Sequence, residues 1–327
     1  MPEETPKPKT LAFSRTKAFR RFQGKVGNAT YRLNTIFVGL EHISAGQGKL
    51  PGGIAVTWEA PEPKHAKQVA DQARSFACLA ATALAADVVD EYLTDLASET
   101  WLKFSAETNE ILNKSKTRPS TAGGAYGLHE RAKAAADELG LNEPIHSAML
   151  ELQAKWRNAS IHSRDKEITL SDETAKTFDS KKKDIAKSFS NLDIDLAQRN
   201  FKAKQVPVGK EITSLIASAQ NFFRKIDEAA VRRALPNQGV VEEFFLKSLR
   251  QHFVDKDDNL IKSRLNDYFA NDVEERQKSL LKIIQAYGLT QTSTPVSPSL
   301  PIDVVEIAAS WNEKQLAEHL ATEDTKR

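Results

Sequence analysis

The chain has 327 residues, of which 40% are hydrophobic, 28% charged and only 7% aromatic, with a formal net charge of +2. That size accommodates one large or two modest cores, and the abundance of Ala, Leu and charged residues points to an all-α protein. The small net charge excludes a global field that would drive the chain to nucleic acid or membrane, and the single cysteine, Cys78, excludes an internal disulfide framework and a Cys-rich metal site.

No apolar run reaches the roughly 18 residues of a membrane span, and the first residues lack the apolar stretch of a signal peptide. A cytoplasmic location without a membrane partner is the expectation. Charge is uneven along the chain: residues 7 to 32 contain eight Lys and Arg and no Asp or Glu. Residues 1–27 therefore read as a basic N-terminal arm, with Arg15, Lys17, Arg20, Arg21 and Lys25 as candidate RNA contacts. A solvated leader is the alternative reading.

In chain order, a helix is predicted over 28–45, with Tyr31, Leu33, Ile36, Phe37, Leu40 and Ile43 at apolar positions. Residues 46–53 are Gly- and Pro-rich and read as a loop, and 54–58 suit an extended segment. The longest helical pattern spans 63–104. Pro63 opens it, and Val69, Phe76, Leu79, Ala80, Ala83, Leu84, Val88, Tyr92 and Leu96 recur at three- and four-residue spacing. Cys78 lies in this apolar run and reads as a buried thiol.

Residues 114–127, with Pro119 and three glycines, read as a loop, and a short helix over 128–139 ends at Gly140. Pro144 opens a helix with Ile145, Met149, Leu152, Trp156 and Ala159 on one stripe. Further helices are expected over 172–190 (capped by Ser171 or Asp172), 208–234, 240–254, 259–270 and 272–287. Residues 290–301 look like a flexible linker, followed by a short amphipathic helix in 302–321. The domain reading is an arm (1–27), a helical domain (28–200), a C-terminal helical extension (201–289), and a linker with its short helix (290–327).

Chemistry concentrates in one segment, Arg157-Asn158-Ala159-Ser160-Ile161-His162, at the end of the helix that Pro144 opens. Arg is a fork-shaped, permanently charged phosphate binder, and His takes or gives a proton near neutral pH. Together they suffice for RNA cleavage without a metal or cofactor. An imidazole removes the ribose 2′-hydroxyl proton, the oxygen attacks the adjacent phosphate, and a guanidinium stabilises the charge that builds there. Asn158 can donate an amide hydrogen bond or orient a ring.

Spacing constrains the geometry. On a continuous helix Asn158 and His162 share a face, whereas Arg157 and His162 stand roughly 140° apart. They converge if the helix ends near Ser160, or if two chains each contribute a set across a two-fold axis. Asp87, Asp90 and Glu91 in the long Ala-rich helix are candidate supporting acids, and Asp87 interrupts an apolar run in a way that suits it to face Arg157 or His162. The remaining histidines, His129 and His146 among them, show no metal-ligand spacing. Gly46-Gln47-Gly48-Lys49 does not fit a phosphate loop.

The Arg-Asn-x-x-x-His segment at the end of an apolar helix, within a helical chain, resembles the HEPN (higher eukaryotes and prokaryotes nucleotide-binding) domain family, most clearly over 63–190. The resemblance implies a HEPN-like helical bundle with additional C-terminal helices. It also implies a homodimer that pairs two motifs, and metal-independent endoribonuclease activity with Arg157, Asn158 and His162 as catalytic residues. Many members are toxins or antiviral-defence effectors, so an antitoxin or regulatory partner is a further expectation. The rival readings are a non-catalytic helical module that binds RNA or a regulatory partner and, more weakly, a helix-turn-helix DNA binder.

Overall fold

The structure is a computed structural model that describes residues 10–47, 59, 61–117, 124–161, 168–292 and 298–321. Among them are thirteen α-helices and three short strands, so the chain is all-α. In order these are β1 (Thr10–Phe13), α1 (Lys17–Ser44), α2 (Pro63–Ser98), α3 (Ala106–Leu112), α4 (Leu128–Glu138), α5 (Pro144–Ile161), α6 (Asp172–Ser188), α7 (Ile194–Lys202), α8 (Gly209–Ala234), α9 (Gln238–Phe253), α10 (Lys262–Phe269), α11 (Val273–Ala286), β2 (Leu289–Thr292), β3 (Ser299–Pro301), α12 (Ile302–Ser310) and α13 (Glu313–Leu320).

Local chemistry explains several of the helix boundaries. Side-chain oxygens of Ser105, Ser171, Asp193, Asn237, Asp272 and Asn312 each accept from a backbone N–H in the first turn of the helix they precede, satisfying donors that the helix itself leaves unpaired. Gly140 follows α4 with a φ of +68°, the left-handed conformation that glycine adopts without a side-chain penalty.

Four expectations change. The basic segment expected to form an arm is helical from Lys17, because Ala18, Phe19, Phe22 and Val26 repeat at helical spacing and are buried. The segment expected to be a linker has strands at both ends, each paired with β1. The single helix expected over 302–321 is two, because Trp311 is extended and Asn312 starts a new helix: its side chain accepts from Gln315 N, and Gln315 Oε1 accepts from Asn312 N, both at 2.9 Å. Residues 106–112 and 194–202, for which no helix was expected, form α3 and α7. The 54–58 segment lies outside the described residues.

The chain divides into two compact units, the larger comprising Ala18–Thr100 and Phe104–Ile226, the smaller Met1–Lys17, Trp101–Lys103 and Asp227–Arg327. In the larger unit α5 packs against α2, α4 and α6, and α6 against α7. One core cluster joins Met149, Leu152 and Trp156 of α5 to Phe178 and Ile185 of α6 and to Phe201 of α7. The Trp156 indole N–H donates to Gln205 O at 2.8 Å, so a fully buried ring keeps its polar edge satisfied. A second aromatic group brings Phe22 and Tyr92 to 5.3 Å and Tyr92 and Phe223 to 4.8 Å between ring centroids.

The long helix α2 buries Ala66, Ala70, Ala77, Cys78, Ala81, Ala85, Val88, Val89 and Tyr92. Small side chains let neighbouring helices approach closely, so the alanines take the inner face. Phe76 (74% exposed) and Leu84 (42%), expected inside, face outward, as do Tyr31 and Ile36 of α1.

In the smaller unit the sheet has the order β2-β1-β3, all antiparallel, with Leu11 opposite Gln291 on one side and Leu300 on the other. Helices α9, α11 and α12 pack on it, and α11 packs on both α9 and α12. Phe13 meets Trp101 and Phe244 with ring centroids 5.4 and 5.1 Å away. The fully buried Thr16 donates its backbone N–H to Asp227 Oδ2 at 3.0 Å and its hydroxyl to Oδ1.

Candidate functional site

The candidate site lies in the larger unit, at the C-terminal end of α5. That helix exists because its apolar stripe (Met149, Leu152, Trp156) docks on α6 and α7, which leaves the opposite side to present Arg157 and Asn158. Both line a cleft of about 550 Å³ together with Asp87 and Asp90 of α2, Lys114, and Tyr126 and His129 near the start of α4. Arg157 Nη2 donates to Asp87 Oδ1 at 3.4 Å and Nη1 to Asn158 Oδ1 at 3.2 Å. The Asp87 side chain is two-thirds exposed; a long bond to so exposed a carboxylate is worth at most about 1 kcal/mol, little enough for a phosphate to displace it. Helix α5 continues through Ile161, one residue short of His162, which itself lies outside the described residues.

The candidate acids separate. Asp87 meets Arg157. Asp90 turns to two other cations, accepting from Lys114 Nζ at 2.5 Å and from Arg131 Nη1. Arg131 is fully buried, donating also to Thr94 Oγ1 at 3.1 Å and to Leu112 O. Burial pulls its pKa down, and the Asp90 carboxylate offsets part of that effect. Asp90 thus fixes α4 on α2 and forms part of the cleft wall. Glu91 is committed elsewhere, to Lys25 of α1 at 2.5 Å.

The five basic candidates do not form one free patch. Arg21 pairs with Asp95 at 2.6 Å and Lys25 with Glu91. Arg20 is half-buried, whereas Arg15 and Lys17 are exposed. Helical spacing explains the pairing: Arg21 and Lys25 are four apart on α1, as are Glu91 and Asp95 on α2, so the two rows of opposite charge meet in antiparallel order, Arg21 with Asp95 and Lys25 with Glu91.

Below the cleft, Glu151 forms a node that spacing only hinted at through its i,i+4 partner Lys155. Its carboxylate, 4% exposed, accepts from Ser171 N and Oγ at 2.7 Å, from Thr174 Oγ1 at 2.6 Å, and from Lys155 Nζ at 2.7 Å. Burial alone would push this carboxyl up; the hydrogen bonds from Lys155, Ser171 and Thr174 outweigh it and hold the group at about 2. Lys155 also donates to Thr169 O. The backbone at Thr169 is thereby tied to the helix that carries Arg157.

Two buried polar groups on α5 stand one turn apart: among the described residues, neither amide atom of Gln153 nor Nε of Arg157 has a hydrogen-bond partner. Such atoms cost about 1–3 kcal/mol each. No group of three or more His, Cys, Asp or Glu among the described residues is arranged to hold a metal ion, and no described helix is long and apolar enough to cross a membrane. The chain matches no protein-family model, no curated protein and no solved structure.

Proposed function

We propose that the protein is a metal-independent endoribonuclease of HEPN type. The observation that carries this reading is the cleft itself: Arg157 and Asn158 open into a space of about 550 Å³, and the contacts Arg157 makes with Asp87 and Asn158 among the described residues are weak. In the reaction, His162 removes the 2′-hydroxyl proton, the 2′-oxygen attacks the adjacent phosphorus, and Arg157 neutralises the charge on the phosphoryl oxygens. Asn158 holds Arg157 in place and contributes a donor. Asp87 restrains the guanidinium between turnovers and yields to the phosphate.

The reading extends to a homodimer. Phe76, Ala80 and Leu84 form an exposed stripe along α2, and Asp87, three residues further on, reaches the cleft. A second copy seated on that stripe would bring two Arg157 sites near one another. A toxin or antiviral-defence role in the cytoplasm, held in check by an antitoxin or regulatory protein, fits this activity.

The same exposed stripe favours a second reading, in which the chain is a non-catalytic interaction module that uses α2 to bind a partner. Purified wild-type, His162→Ala and Arg157→Ala proteins incubated with radiolabelled RNA in the presence of a chelator separate the two. The nuclease reading expects wild-type cleavage leaving 2′,3′-cyclic phosphate ends, and losses of about 100-fold or more in both variants with unchanged helical circular dichroism. Full cleavage by folded His162→Ala would overturn it, and binding without cleavage by wild type would favour the module.

A further inference from the structure

Gln153 on α5 is 1% exposed, and neither atom of its amide is hydrogen-bonded among the described residues. A methionine or leucine would fill the same space without an unpaired polar group, so the amide weakens the fold where it stands. Four residues on, along the same face of the helix, Arg157 carries the complementary defect: its Nε–H is buried and has no acceptor among the described residues. The amide offers an acceptor and the guanidinium a donor. We propose that Gln153 is the positioning residue for Arg157: when a phosphate draws the guanidinium away from Asp87, Gln153 Oε1 accepts from Arg157 Nε. This rests on the reading above in one respect, that Arg157 takes a phosphate of RNA.

The contacts of the guanidinium show why this pair is open and what closes it. Arg157 Nη2 donates to Asp87 Oδ1 at 3.4 Å and Nη1 to Asn158 Oδ1 at 3.2 Å, so both contacts use the Nη edge. The Asp87 bond is longer than the usual range for N–H···O, and that carboxylate is two-thirds exposed, so a phosphate replaces it readily. A phosphate held by Nη1 and Nη2 bonds bidentately and leaves Nε–H as the donor that can fix the plane of the fork. With Gln153 Oε1 on that Nε–H, three orphaned atoms become one, and the guanidinium is held in a single orientation toward the cleft. The bond forms only with ligand in place, so it favours the bound state over the free one. A neutral amide does this without neutralising the guanidinium, as a carboxylate at this position would. Spacing gave Gln153 no role: it lies beside the apolar stripe of Met149, Leu152 and Trp156, and its burial and missing partners belong to the folded chain alone.

Gln153→Met separates positioning from packing, because it is expected to move stability and activity in opposite directions. Its melting temperature should rise about 2 °C or more above wild type. Its kcat/KM for RNA cleavage, and its affinity for a 2′-fluoro oligoribonucleotide that lacks the attacking hydroxyl, should each fall about 10- to 100-fold. In protein carrying ¹⁵N-arginine, the Arg157 Nε–H resonance is assigned by its loss in Arg157→Lys. It is expected to move downfield when the 2′-fluoro oligonucleotide binds wild type and to stay in place in Gln153→Met. On the Arg157→Lys background, whose side chain has no Nε–H, adding Gln153→Met should change affinity by less than about twofold. Gln153→Leu serves as the second variant if methionine fails to fold. Wild-type affinity and cleavage in the variant, or a resonance that stays in place in wild type, overturns the role of Gln153 and leaves the nuclease reading standing. A variant that loses stability and affinity together also overturns that role, since packing then accounts for both. A wild-type protein that neither binds the 2′-fluoro oligonucleotide nor cleaves RNA overturns both.

Discussion

Burying a carboxylate is costly unless its oxygens are fully hydrogen-bonded, and Glu151 meets that demand with three neighbours from two segments. Its carboxyl sits at about 2, below the roughly 4.3 of an unfolded glutamate. A group whose folded pKa is depressed adds stability above its unfolded pKa and loses it as pH falls toward the folded value. The contribution, on the order of 3 kcal/mol, is therefore full at neutral pH and disappears between about pH 5 and pH 2. Glu151→Gln keeps the shape but cannot accept the same charge-assisted bonds. Urea unfolding of both proteins across that range is expected to show the variant about 2 kcal/mol less stable at pH 7 and the gap closing as pH falls. A gap that stays constant with pH would mean that the ionised carboxylate is not what holds α6 to α5. The same variant bears on function, because Ser171 and Thr169 follow closely on the segment that carries His162.

At the scale of elements, helix α2 shows what a repeat pattern reveals and what it hides. Its three- and four-residue spacing marked the helix and its Pro63 start, but two apolar faces share that spacing. Large side chains suggested that Phe76 and Leu84 lay inside, whereas close helix packing selected the alanine face. Short helices were harder still: α3 and α7 each have an N-cap, Ser105 or Asp193, but too few turns to display a period. At the site, the Arg157–Asp87 approach was legible because Asp87 broke an apolar run, while the Asp90–Arg131 anchor was not, since nothing in a single helix marks an arginine for burial. The outward face of α2 also carries the dimer expectation. Burying a Phe and a Leu from each chain is worth roughly 1.5–3 kcal/mol per side chain, enough to decide whether a micromolar dimer forms. The double variant Phe76→Lys, Leu84→Lys is expected to sediment as a monomer under conditions where wild type is a dimer, with unchanged helix content and RNA cleavage reduced about 100-fold. Wild-type protein that cleaves RNA as a monomer would remove the dimer from the reading.

At the scale of the whole molecule, the least legible feature is the sheet of the smaller unit. It pairs Thr10 with Thr292 and Thr10 with Pro301, residues nearly a chain length apart, in strands too short to show alternation. Only the partner defines such a strand, which is why its sequence read as arm and linker. One glycine makes the pairing feasible. Gly288, between α11 and β2, has a φ of +106°, and its carbonyl accepts from Ser14 N at 3.1 Å. A Cβ there would stand 2.5 Å from Arg15 O and 3.1 Å from the Phe13 ring. An alanine faces both an unfavourable backbone conformation and contact with a backbone oxygen that cannot swing away, costs of about 1–3 kcal/mol for the conformation alone. Gly288→Ala is therefore expected to speed hydrogen exchange of the β1 amides by about 10- to 100-fold, the range that such a loss of local stability implies. If those amides exchange at wild-type rates, β1 and β2 tolerate a side chain at the turn and the sheet does not depend on Gly288.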